Sequence, residues 1–129
     1  FCLSSQLNVT DADQVLDWAE AKGIISAANP IKQLSKTQEE LDETMLALQK
    51  IKHLEEPDLS FVDIKDKTAL EQTYRAEVED GIGDMLVTII ILAELVGMSS
   101  VDCLNVAYNE IKDRKGEMRD GLFVKEANL

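Results

Sequence analysis

The stretch "EVEDGIGDMLVTIIIL", residues 77–92, places four carboxylates and two glycines in its first eight positions and then runs apolar through Leu92, broken only by Thr88. A glycine inside a helix costs about 1 kcal/mol relative to alanine, and a buried carboxylate is unfavourable unless something pairs with it. Advancing about 100° per residue from Glu77 brings Asp80 and Asp84 onto one helix face and turns Glu79 to the other side. The same stripe continues through Thr88, Ile91 and Leu95, which marks it as a packed face. Like charges in line with a packed face repel and take up protons unless a cation sits among them. The pattern predicts a helix that gives up intrinsic stability to hold a hard divalent metal ion.

Apolar residues recur at helical spacing through most of the chain, which predicts an all-α fold. Thr10 with Asp13 has the form of a capping box for a first helix ending between Gly23 and Ala27. Asn29 followed by Pro30 starts a second, expected to run to about Leu54 and to stop before Glu56 and Pro57. Residues 57–66 read as a loop, and a long third helix follows, ending near Gly97. Ser99 with Asp102 caps a fourth, which carries Val101, Leu104, Ala107, Tyr108 and Ile111 on one side and ends near Gly116. The tail "MRDGLFVKEANL" is too short to assign. Four helices predict a four-helix bundle-like protomer, and the length suits a single domain over residues 1–129. Ile89, Ile90, Ile91 and Leu92 put apolar surface on every side of the third helix, so the protein is expected to be an oligomer.

The formal net charge of −12 argues against a nucleic-acid partner, because phosphate backbones are bound mainly by clustered Lys and Arg. Cations are the expected counter-charge. No apolar run approaches the roughly 20 residues of a membrane span, and no basic leader precedes an apolar stretch at the start. Cys2 and Cys103 form no disulfide framework and read as small apolar side chains. These features predict a soluble, cytoplasmic protein with no membrane partner.

A second acidic cluster, "QEELDE" at 38–43, brings Glu39, Glu40 and Glu43 within about 100° of arc and turns Asp42 elsewhere. The main apolar stripe of that helix, Leu34, Leu41, Met45 and Leu48, lies roughly opposite Glu43. Alone, the cluster therefore reads as a solvated acidic face. Two such clusters on antiparallel helices can instead converge at one level, and all-oxygen ligation suits Mg²⁺ or Mn²⁺. A di-iron carboxylate site is excluded, since it needs two Glu-x-x-His motifs and the chain has one histidine, His53, a helix-end residue with Lys50 three places before it. Asp11, Asp13 and Asp17 lack the glycine and final Glu of an EF-hand loop.

"EELDE" and "EVEDGIGDMLVTII" resemble the EExxE and ExxD halves of the MazG-like, all-α nucleoside triphosphate pyrophosphohydrolases. The similarity extends through "WAEAKGI" and "AYNEIKDRKGEM", and the tail "GLFVKE" is similar to that of short phage-type members. The resemblance implies Mg²⁺-dependent hydrolysis of a (deoxy)nucleoside triphosphate between its α and β phosphates, in nucleotide-pool cleansing. It also implies a homodimer or homotetramer with sites shared between subunits. Glu39, Glu40 and Glu43 match the first half, and Asp84 matches the final Asp of the second. The Glu three places earlier is replaced by Gly81, so that Asp80 or Glu77 supplies the missing oxygen, or Glu77 to Asp80 is itself the ExxD and Asp84 an added ligand.

In this reading Glu40, Glu43, Asp80, Asp84 and Glu77 are the metal ligands, and Glu39 or Glu40 positions or deprotonates the attacking water. Asn109 and Lys112, one turn apart on the fourth helix, are the expected phosphate contacts, with Arg114 and Lys115 as helpers that equally suit a helix C-terminus. Trp18 suits either a core position with Val15 and Ile25 or a platform on which a base stacks. Gly81 and Gly83 are expected to let a neighbouring helix or a bound phosphate approach closely. The competing class is a non-catalytic acidic helical adaptor whose carboxylates pair with a partner's basic residues.

Overall fold

The computed structural model describes residues 11–56 and 63–129. The proposed cap Thr10, Cys2 and most of the 57–66 loop lie outside them. In chain order the elements are α1 (Asp11–Ala21), α2 (Ile24–Ala27), α3 (Pro30–His53), α4 (Ile64–Leu95), α5 (Ser100–Ile111), β1 (Gly116–Arg119) and β2 (Leu122–Lys125), followed by a 3-10 turn at Glu126–Asn128. The chain is mostly helical, as its periodicity predicts.

The helix ends follow from side-chain chemistry. Asn29 Oδ1 accepts from the backbone N–H of Ile31 at 2.9 Å and of Lys32 at 3.3 Å, and Pro30 occupies the first turn. Helix α4 starts inside the expected loop, because Asp63 caps it by accepting from Lys65 N–H at 2.8 Å. Its far end closes in a Schellman motif: Met98 N–H donates to Ala93 O at 2.8 Å, Gly97 N–H to Glu94 O at 3.0 Å, and Gly97 takes φ 76°. Ser99 caps α5. That helix stops at Ile111, short of Gly116, since the tail folds back as an antiparallel hairpin pairing Gly116 with Lys125 and Arg119 with Leu122. Asp120 and Gly121, at φ 50° and 80°, supply the two left-handed residues of its turn.

Helices α3 and α4 run antiparallel and make the principal contact of the fold. Thr37 and Thr88 share a hydroxyl hydrogen bond at 2.8 Å, and Gln33 Nε2 donates to Thr88 O at 3.2 Å. Further along, Gly81 faces Thr44, whose hydroxyl donates to Glu40 O at 2.7 Å. A Cβ at position 81 would collide with Thr44 Oγ1 and stand 3.2 Å from Thr44 Cβ, so the expected close approach is realised there. Gly83 has open space around it and serves no such contact. Gly81→Ala is therefore expected to cost about 1 kcal/mol or more, because overpacking outweighs the gain in helix propensity. Adding Thr44→Ala should recover most of that loss, whereas Gly83→Ala should raise stability by up to about 1 kcal/mol. Chemical denaturation of the variants measures each change.

Helix α1 also packs on α4, but α5 leaves α4 at a bend of 101° and packs against α4 rather than alongside α3. The described residues bury four apolar side chains, Ala19, Ala47, Ile91 and Ala93, while twenty-three large apolar residues are exposed. The protomer core is thin. The side of α3 turned to α4 carries Glu40, Thr44 and Ala47, all buried. Its apolar stripe faces outward instead: Leu34, Leu41, Met45 and Leu48 are all exposed, and of the acidic cluster Glu39 and Glu43 are exposed while Glu40 alone is buried. Cys103 is a free, exposed thiol. Among the described residues, no single helix is long and apolar enough to cross a membrane.

Candidate functional site

Antiparallel pairing of α3 and α4 sets the acidic stripe of one beside that of the other. Glu40 is 8% exposed, and its Oε2 is buried without a hydrogen-bond partner. Burial pushes its carboxyl above the usual carboxylate range, the charges of Glu43 and Asp84 push it further, and Lys36 partly offsets them. Asp84 is raised in the same way, first by burial, then by Asp80 and by Glu43. Four carboxylates from two helices thus share one electrostatic neighbourhood with too little positive charge. Among the described residues, no three His, Cys, Asp or Glu side chains converge closely enough to hold a metal ion as they stand. An all-oxygen donor set of this kind would suit a hard divalent cation; Glu40 Oε2 is the buried oxygen without a hydrogen-bond partner, and Glu43 and Asp80 are exposed, hydrogen-bonded to Glu40 and Asp84 respectively.

Glu77, Asp80 and Gly81 line a cleft of about 240 Å³ with Glu43, Leu46 and Lys50. Glu79 faces a different groove, beside Arg75 and Ile82. The helical arithmetic that separated Glu79 from the stripe therefore holds in three dimensions. Within the stripe, Asp80 is the chief charged neighbour of Asp84, whereas Glu77 Oε2 lies 3.7 Å from Lys50 Nζ. Glu39 stands at the rim, mostly exposed and paired with Lys36 at 3.0 Å. Lys36 reaches Glu40 as well, at 3.8 Å, and the bond to Glu39 holds its ammonium above the ordinary lysine range.

Trp18 is half exposed and so is not a core residue. It lines a groove of about 460 Å³ with Gln14, Val15, Val87, Asp11 and, at the acidic end, Asp84. The fold thus sets an aromatic face next to a carboxylate of the acidic cluster. Asn109, Lys112, Arg114 and Lys115 are exposed and line neither cleft that holds the carboxylates. Lys112 is the C-cap of α5, and Arg114 lies 3.7 Å from Glu110 and borders a separate cleft with Phe123 and Lys125. His53 sits in the last turn of α3, 3.3 Å from Glu56, in keeping with a helix-end role.

Two residues of the site escaped the sequence reading. Lys36 carries a local signal, being one turn before Glu40. Lys50 meets Glu77 only through the register of two helices, which no local spacing reveals. Comparison of the chain with protein-family models, curated proteins and solved structures gives no match.

Proposed function

We propose that the protein is a divalent-cation-dependent nucleoside triphosphate pyrophosphohydrolase of the MazG-like, all-α type, working as a homo-oligomer in cytoplasmic nucleotide-pool cleansing. The observation that carries this reading is Glu40, a buried carboxylate with an unpartnered oxygen that shares its neighbourhood with Glu43, Asp80 and Asp84. The motif resemblance of "EELDE" and "EVEDGIGDMLVTII" supports it. When bound, Mg²⁺ or Mn²⁺ supplies a water of lowered pKa and neutralises phosphate charge.

Glu40, Glu43, Asp80 and Asp84 are the proposed ligands. Asp80 takes the part of the Glu replaced by Gly81, and Glu77, paired with Lys50 in the metal-free protein, adds a weaker ligand at the same end of the stripe. Glu40 lies inside the carboxylate cluster whereas Glu39 stands at its rim paired with Lys36, so Glu40 is the better placed of the two to accept the proton of the attacking water. The water oxygen bonds to the α-phosphorus, the bond to the bridging oxygen breaks, and pyrophosphate leaves with the electron pair. Trp18 offers a ring face for the base. Asn109, near the end of α5, and Lys112, Arg114 and Lys115, at and beyond its C-cap, line neither cleft that holds the carboxylates, so their phosphate role requires a neighbouring subunit, whose helices would also complete the four-helix bundle.

The rival reading, a non-catalytic acidic adaptor, draws on the lack of a preformed three-ligand group among the described residues. Incubation with ordinary and modified nucleoside triphosphates plus Mg²⁺, followed by product separation, decides between the two. The expected products are the monophosphate and pyrophosphate, formed only with Mg²⁺ or Mn²⁺. Release of inorganic phosphate, or full activity in excess chelator, would falsify the assignment.

A further inference from the structure

Lys50 lies in the last turn of α3, where a cation also complements the helix C-terminus. Its ammonium stands 3.7 Å from Glu77 Oε2 and 5.4 Å from the centroid of the Tyr74 ring. An ion pair across two helices at the surface is worth little, and it needs no cavity. This one opens into the 240 Å³ cleft with Glu43, Asp80 and Gly81. A triphosphate brings several negative charges to a site that already holds five carboxylates, so it needs cations beyond the metal. Lys36 is engaged by Glu39 and Glu40, and Lys112, Arg114 and Lys115, at and beyond the end of α5, line neither cleft that holds the carboxylates. Lys50 is the ammonium in the cleft itself.

We propose that Lys50 is a positioning residue that clasps the phosphate tail of the substrate and then the pyrophosphate product. In the metal-free protein its charge is parked on Glu77. Recruitment of the Glu77–Asp80 end of the stripe to a cation frees the ammonium for phosphate oxygens, while the π face of Tyr74 keeps it at the cleft. The inference rests on the pyrophosphohydrolase reading and deepens it, because it places the leaving group at the Glu77 end of the stripe.

The test uses the full chain with Lys50→Gln and Lys50→Arg, and titrates Mn²⁺ alone, then inorganic pyrophosphate in the presence of Mn²⁺, by calorimetry. A charge-assisted phosphate contact predicts that Lys50→Gln weakens pyrophosphate binding about tenfold or more. Binding of Mn²⁺ alone should be unchanged or tighter, since a competitor for Glu77 is gone, and Lys50→Arg should restore most of the pyrophosphate affinity. With a nucleotide that is turned over, KM should rise in parallel while kcat changes little. The proposal is overturned if Lys50→Gln leaves pyrophosphate affinity untouched, if Mn²⁺ affinity falls as far as pyrophosphate affinity does, or if the wild type binds no pyrophosphate. A wild type that binds pyrophosphate through Lys50 yet hydrolyses no nucleotide refutes the enzymatic reading and leaves the clasp standing.

Discussion

Asp84→Asn is expected to lower nucleotide hydrolysis by more than about a hundredfold, because loss of even an outer-shell partner of a metal site costs up to that much. Glu79→Gln should leave the rate near wild type. Both variants remove one charge from α4, but Glu79 faces the groove beside Arg75 whereas Asp84 couples to Asp80, Glu43 and Glu40. Equal damage from the two would mean that the stripe geometry does not govern activity. Asp80→Asn should cost more than Glu77→Gln, since Asp80 is the closer partner of Asp84 while Glu77 is held by Lys50.

The metal-free protein should report the same crowding through its stability. Folding raises the carboxyls of Glu40 and Asp84 above their unfolded values, chiefly through burial. The folded state therefore binds more protons than the unfolded state between the ordinary carboxylate range, near about 4, and the raised values. Stability falls as pH climbs through that window and stays lowered above it. Asp84→Asn and Glu40→Gln should each raise the metal-free Tm at neutral pH and flatten its pH dependence. Mg²⁺ should flatten the dependence of the wild type. Lower activity with a higher metal-free Tm is the signature that separates a strained acidic site from an acidic surface.

The second large effect concerns assembly. Sedimentation of the wild type at micromolar concentration should show a dimer or a larger species, and Leu41→Glu or Leu48→Glu should dissociate it. Both leucines belong to the outward stripe of α3, with Leu34 and Met45. A second apolar surface lies where α4 meets α5, a groove of about 560 Å³ lined by Leu86, Ile89, Val96, Val101 and Leu104 among others. Contiguous apolar faces of this kind on a thin core are what association covers. A glutamate introduced into such an interface is buried without a partner in both copies. The expected loss is roughly 4 kcal/mol or more, about a thousandfold in Kd. A stable, folded wild-type monomer would remove the basis for sharing sites between subunits.

Local chemistry was enough to read the helices. Asn29-Pro30, Gly97 and Ser99 act within a turn or two of their own positions, Asn29 and Ser99 through capping side chains and Gly97 through a left-handed backbone that the lack of a side chain permits. Asp63 and the Asp120-Gly121 turn carry equally local signals, so the early start of α4 and the terminal hairpin were legible in principle. The facing of Glu77, Asp80 and Asp84 away from Glu79 also follows from 100° of rotation per residue. Which face of α3 is buried could not be read this way. Its apolar stripe looked like the core side, yet α4 takes the side of Glu40, Thr44 and Ala47, because small residues and Gly81 allow the two backbones to approach. Whether Trp18 is core or surface, whether Lys50 meets Glu77, and whether the cations that follow α5 reach the carboxylates depend on register and on the 101° bend after α4. Those are long-range quantities. They are set by how helices fit against one another, and helical periodicity carries no information about them.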